Sequence, residues 1–134
     1  MASSVTLRSA GRGEVFVGSN GAWNFEFDPT DDTGPRSIDL LLFSLGTCTI
    51  AVVGRYMRQK GYATDKLEVV LSSDFDAAVK RYGTITVDLR PGDDLTQAQK
   101  RSIRAVAGSC RIHNTLKNFA GINIEIEGLP RAQE

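Results

Sequence analysis

The chain opens on short runs in which apolar side chains return at every second position, the period of a half-buried strand. Val15 and Val17 alternate with polar or differently facing neighbours, and Trp23, Phe25 and Phe27 alternate with Asn24 and Glu26. Between the two runs lies Ser19-Asn20-Gly21. Asn-Gly favours a tight turn because both residues tolerate positive φ, so an antiparallel hairpin is expected here. Val5 to Leu7 can add a further strand, turned by Gly11-Arg12-Gly13.

After a loop rich in Pro, Thr, Asp and Gly (Pro29 to Pro35) the period changes. Ile38 to about Lys60 reads as one long helix, with Ser37 as N-cap and Gly61 as the stop. Asp39 falls in its first turn, where a negative charge suits the helix dipole. The helix is apolar on most faces, and such a helix is normally wrapped by other elements or by a second subunit. Its length therefore points to dimerisation.

Period two then returns. Leu67, Val69 and Leu71 form one strand, and Ile85, Val87 and Leu89 form its expected antiparallel neighbour, ended by Pro91-Gly92-Asp93-Asp94. Thr96 and Gln99 carry the spacing of a capping box, which opens a second helix with Ile103, Val106 and Ala107 inward. Gly108-Ser109 interrupts it, a short helix runs from Cys110 to Asn118, and Ile122, Ile124 and Ile126 alternate with Asn123, Glu125 and Glu127 as a last strand. Strands, long helix, strands, helices and strand in that order point to an α+β fold and away from a doubly wound parallel sheet.

Composition narrows the function classes. A length of 134 residues suits a single domain spanning 1–134. Sixteen basic residues offset sixteen acidic ones, which speaks against nucleic acid or an anionic membrane as partner. The N-terminal Met-Ala-Ser-Ser-Val-Thr-Leu-Arg has no apolar core of a secretory signal. The longest uncharged stretch, Leu40 to Gly54, is shorter than the roughly 20 residues that span a bilayer. A cytoplasmic address is expected, where thiols stay reduced and a disulfide is transient and functional.

Candidate chemistry rests on few residues. The two cysteines, Cys48 and Cys110, lie far apart in sequence, so no C-x-x-C metal spacing exists, and the single His113 completes no zinc site. No metal or cofactor is expected. Each cysteine by itself reads equally as a small buried hydrophobe. His113 follows Cys110 by one helical turn and can act on that thiol or serve as a half-exposed structural residue. Trp23 and the nearby phenylalanines read as sheet packing, and Lys100, Arg101 and Arg104 as the solvated face of the second helix.

The context of the cysteines goes further. The run from Gly34 through Arg36, Asp39 and Gly46 to Cys48 and Thr49 resembles the first motif of the OsmC/Ohr family, a helix opening on an acidic residue and leading to a cysteine among small residues. Ala105 to Leu116, with Cys110 at a helix start, resembles the second. The element order from Val5 to Glu127 matches as well, and the Gly-x-Arg opening is closest in pattern to the YhfA-like branch.

The resemblance implies an intertwined homodimer in which antiparallel sheets wrap long central helices. It also implies a thiol-dependent hydroperoxide reductase in oxidative-stress defence. Cys48 would attack the peroxide, Cys110 would resolve the resulting sulfenic acid, and an external dithiol would reduce the disulfide. The alternative is an OsmC-fold binding or redox-sensing protein with little peroxidase activity. Cys48 lies too far inside its helix for the N-terminal dipole to ionise it, so a cation is expected to do so. Arg8, Arg12 and Arg36 are the candidates, Arg36 first because it sits in the motif. The organic-peroxide branch carries a glutamate where this chain has Ile38, and the nearest acid is Asp39. Nine residues at about 100° each place Asp39 roughly opposite Cys48. Its role as a helix-start charge stands beside a catalytic one.

Overall fold

The computed structural model describes residues 3–92 and 94–131, so Asp93, expected in the turn after the Ile85–Leu89 strand, lies outside the described residues. The chain forms two compact units, Met1–Ser44 and Leu45–Glu134. The long helix α1 (Ser37–Gln59) begins in the first and runs on into the second.

In the first unit β1 (Thr6–Ser9), β2 (Phe16–Ser19) and β3 (Asn24–Phe27) pair antiparallel in the order β1-β2-β3. The Asn-Gly turn works through two different devices. Gly21 alone takes positive φ (95°), while the Asn20 carboxamide oxygen accepts from the N–H of Ala22 and Trp23 at 2.9 and 3.0 Å. The Trp23 and Phe25 rings lie 5.7 Å apart, centroid to centroid, and Trp23 remains half exposed.

The helix start differs by one position from the reading above. Ser37 is already helical, and the residue before the helix is Arg36, whose carbonyl accepts from Leu40 N–H. The Asp39 carboxylate accepts from the Arg36 N–H at 2.9 Å. A carboxylate reaching back over the first turn satisfies an orphan N–H, so no serine cap is needed.

In the second unit α1 buries Leu45, Thr49, Val53 and Met57, one residue every four positions along one stripe. The Thr49 hydroxyl is satisfied by the Leu45 carbonyl at 2.8 Å. Below the stripe, β4 (Glu68–Ser72) pairs antiparallel with β7 (Thr86–Arg90), setting Val69 opposite Leu89 and Leu71 opposite Val87. The helix α2 (Gln97–Ala107) starts on the expected capping box, Thr96 and Gln99 exchanging bonds of 2.8 and 3.1 Å. Its Ile103 joins Val53 and Met57 as the centre of the core, with Leu67, Leu89 and Leu95 packed around them. By length and composition α1 could also cross a membrane. The core helix of a soluble protein passes the same test, and one stripe of α1 is buried here while Leu40, Leu41, Phe43 and Ile50 stay exposed.

Two further differences come from element length and pairing. A small hairpin of β5 (Phe75–Asp76) and β6 (Arg81–Tyr82) joins β4 to β7, with the Phe75 and Tyr82 rings edge to face at 5.3 Å. Strands of two residues are too short for an alternation to declare itself. Conversely, the expected strand at Ile122–Ile126 is not formed. Its three isoleucines are 76%, 88% and 64% exposed. A strand exists through its ladder to a neighbour, and no described strand pairs with this segment. The seven-residue α3 (Arg111–Lys117) closes the set of described elements.

Candidate active site

The site is built where α1 meets the corner between α2 and α3. Cys48 sits beside the buried stripe of α1 and is itself half-buried. After α2 the chain turns at Gly108 and Ser109, tied by N–H groups bonded to the Val106 and Ala107 carbonyls. That turn leaves Cys110 as the extended N-cap of α3 (φ −61°, ψ 136°) and fully buried. Its carbonyl accepts from Asn114 N–H, the first bond of the helix. Residues remote in sequence thus meet because Ile103 anchors α2 against Val53 and Met57 of α1.

An N-cap side chain ordinarily accepts from the first N–H groups of its helix, but the Cys110 thiol makes no such bond. It lies close enough to the Cys48 thiol to act on its ionisation instead. The N–H groups of Arg111 and Ile112, orphans of the first turn of α3, act on the same thiol in the same direction.

These groups set the direction in which the Cys48 thiol is shifted. Burial pushes its thiol up. The Cys110 thiol, the Ile112 and Arg111 N–H groups and the Arg111 charge together outweigh that and hold it below the ordinary thiol value. A thiol lowered in this way is more thiolate at neutral pH, and the thiolate is the nucleophile. Cys48 is therefore an electron-rich sulfur, half accessible, with a second thiol in contact. Both cysteines are free.

The other expected site residues have partners or settings of their own. Arg36 and Asp39 pair with each other in the first unit. Their bonds run from Nε at 3.1 Å and from Nη2 at 2.9 Å, and Asp39 also holds the Arg36 N–H. The Arg36 side chain, then its N–H and its charge, hold the Asp39 carboxyl below the usual carboxylate range, against a small opposing effect of burial. Arg12 is committed to Glu26 at 2.8 Å, and Arg8 is exposed on β1. His113 is half-buried on α3 and makes no hydrogen bond to either thiol among the described residues. Among the described residues no cluster of His, Cys, Asp or Glu could hold a metal ion.

Sequence reasoning sought a single cation for Cys48 and passed over Arg111. Its charge is the smallest of the named influences, behind the thiol and two backbone donors. An arginine directly after a helix-starting cysteine was a visible signal. The backbone donors were not, because their aim depends on how α3 is set against α1.

Comparison with known proteins adds a family. A model of the family described as OsmC-like protein matches residues 30–127. No curated protein matches the chain in sequence. An OsmC-like protein from Mycoplasma pneumoniae shares the fold with a TM-score of 0.74 at 15% identity, over 90% of this chain and 90% of that one. The organic hydroperoxide resistance protein OhrB of Bacillus subtilis follows with a TM-score of 0.56 at 17% identity, over 89% and 93%. At such identities the structures establish a common fold, mixed α and β with small antiparallel sheets.

Proposed function

This chain belongs to the OsmC-like protein family, and from that premise we propose that it is a thiol-dependent peroxidase of oxidative-stress defence, reducing organic or hydrogen peroxide through Cys48 and Cys110. The observation that carries the reading is the contact between a half-accessible, electron-rich Cys48 and the buried Cys110 thiol. The likeness to a hydroperoxide resistance protein supports it.

The Cys48 thiolate attacks one peroxide oxygen. The O–O bond breaks, an S–O bond forms, and the leaving alkoxide or hydroxide takes up a proton to give alcohol or water. The sulfur is oxidised to sulfenic acid as the peroxide is reduced. Cys110 then attacks that sulfur, forming the disulfide and releasing water with the thiol proton. An external dithiol returns both thiols and leaves oxidised itself. Arg36, oriented by the bidentate hold of Asp39, is the polar clamp for the peroxide in this scheme.

The working unit in this reading is an intertwined homodimer. Leu40, Leu41, Phe43 and Ile50 of α1 stay exposed, Phe43 at 72%, and so do the isoleucines of the unpaired last segment. Apolar surface of this extent is covered in an oligomer. A single domain and a cytoplasmic address complete the proposal.

The test follows peroxide loss, free thiols and intact mass of the purified reduced protein after addition of a hydroperoxide. Loss of both thiols with a mass decrease of about 2 Da, one hydrogen from each, is expected. Cys48→Ser abolishes consumption, and Cys110→Ser leaves a sulfenic acid that a dimedone probe captures. Unreactive thiols with no peroxide consumption overturn the reading. One stoichiometric oxidation without turnover, given excess dithiol, assigns the same pair to a redox sensor.

A further inference from the structure

The cations of α2 are arranged as a merely solvated helix face does not require. From Leu95 to Ile124 the sequence holds five lysines and arginines and no carboxylate, in a chain whose charges balance overall. Lys100 and Arg101 stand four and three positions before Arg104, so the three share one side of the helix. Like charges at that spacing oppose each other. Lys100 and Arg101 also follow directly on the first turn, where the helix dipole disfavours a cation, and no acid in that turn offsets them. None of the three forms an ion pair among the described residues, whereas Arg90 of β7 is taken by Glu68 and Asp88.

These cations edge a groove of about 270 Å³ between α2 and β7. Its apolar part is made by Val87 and Leu89, which share one face of β7, and by the buried Ile103. Asp88 falls on the other face of the strand and is held by Arg90 at 2.8 Å. Among the described residues that line the groove none is acidic. One wall is thus cationic and the other apolar. The volume exceeds the roughly 150 Å³ of an engineered cavity that takes benzene, and falls just short of the about 300 Å³ at which drug-sized sites begin. A small molecule matches it, and a lipid with two long chains does not.

We propose that this groove binds a free anionic amphiphile, its carboxylate or phosphate head on Lys100, Arg101 and Arg104 and its short alkyl chain along Val87, Leu89 and Ile103. Burial of the chain supplies affinity, and the guanidinium forks supply the preference for a charged head. Neither thiol and no peroxide enters this assignment, so it stands apart from the peroxidase reading.

The experiment titrates the purified protein with octanoate, octyl phosphate, octanol and acetate, followed by backbone amide NMR shifts. Octanoate or octyl phosphate is expected to move amides of β7 and α2. Either binds at least about tenfold more tightly than octanol or acetate, and less tightly at high salt. Arg101→Gln and Arg104→Gln, both on exposed residues, each weaken octanoate binding about threefold and together about tenfold. Lys80→Gln removes the same charge from the β5–β6 hairpin and leaves binding unchanged. Equal affinity for octanoate, octyl phosphate and octanol overturns the proposal. So does an affinity unmoved in the double variant, or an absence of shifts at β7 and α2. Co-sedimentation with phosphatidylglycerol vesicles without binding of the free probes also overturns it, giving the cations to a membrane surface. Peroxide consumption has no part in these readouts, so the two readings fail separately.

Discussion

A Cβ placed on Gly46 would fall 2.8 Å from Cδ1 of Leu71, so α1 comes close to β4 at a point where the Leu71 side chain would have to shift to admit a methyl group. The second helical glycine differs. At Gly54 the nearest atom is the mobile end of Arg58, at 3.2 Å. Alanine gains roughly 1 kcal/mol over glycine inside a helix, whereas overpacking costs about 1–3 kcal/mol. Gly46→Ala is therefore expected to destabilise by about 1 kcal/mol, and Gly54→Ala to stabilise by about 0.5 kcal/mol. Urea unfolding midpoints of the reduced protein check the opposite signs.

Stability depends on pH through Cys48. Its folded value lies below the ordinary thiol value of about 8.5, so between the two the unfolded state binds more protons. Stability from this group is complete above the unfolded value and is lost as pH falls through the folded one. The reduced protein is expected to gain stability relative to Cys48→Ser as pH rises through that window. Urea midpoints of the pair across the window measure the gain, and parallel curves would contradict the assigned direction.

Arg36 and Asp39 distinguish a clamp from a helix start. If the guanidinium binds peroxide, Arg36→Met lowers kcat/KM for peroxide consumption with little change in unfolding midpoint, because the pair is exposed and screened. If Asp39 serves only the first turn of α1, Asp39→Ala lowers stability and leaves turnover intact. Steady-state kinetics and unfolding on both variants separate these roles.

The unpaired segment tests assembly. Ile124 is 88% exposed, so Ile124→Asp costs an isolated chain nothing in burial. In the proposed dimer the same change sets a charge against a second copy, and sedimentation should show the assembly weakened. An unchanged sedimentation coefficient would remove this segment from the interface.

Most elements were legible where a period ran for several residues. The alternation of β3, β4 and β7, the length of α1 and the Thr96–Gln99 box are local features, decided by neighbours in sequence. The β5–β6 hairpin was too short to carry a period. Ile122–Ile126 carried a clear one without a strand to pair with, since alternation states which face is apolar and leaves the partner open. For the site, the motifs around Cys48 and Cys110 marked both sulfurs. They left the cation to guesswork between Arg8, Arg12 and Arg36.

By itself the sequence determined an α+β chain with two oxidisable thiols and the helices that carry them, because propensity, capping and periodicity act over a few residues. Only the tertiary structure decided which groups hold the Cys48 thiol below its ordinary value. A hydrogen bond needs a donor within a few ångströms and aimed at its acceptor. The Cys110 thiol and the Arg111 and Ile112 N–H groups reach that sulfur only once Ile103 has docked α2 on α1 and the turn at Gly108 has set the start of α3.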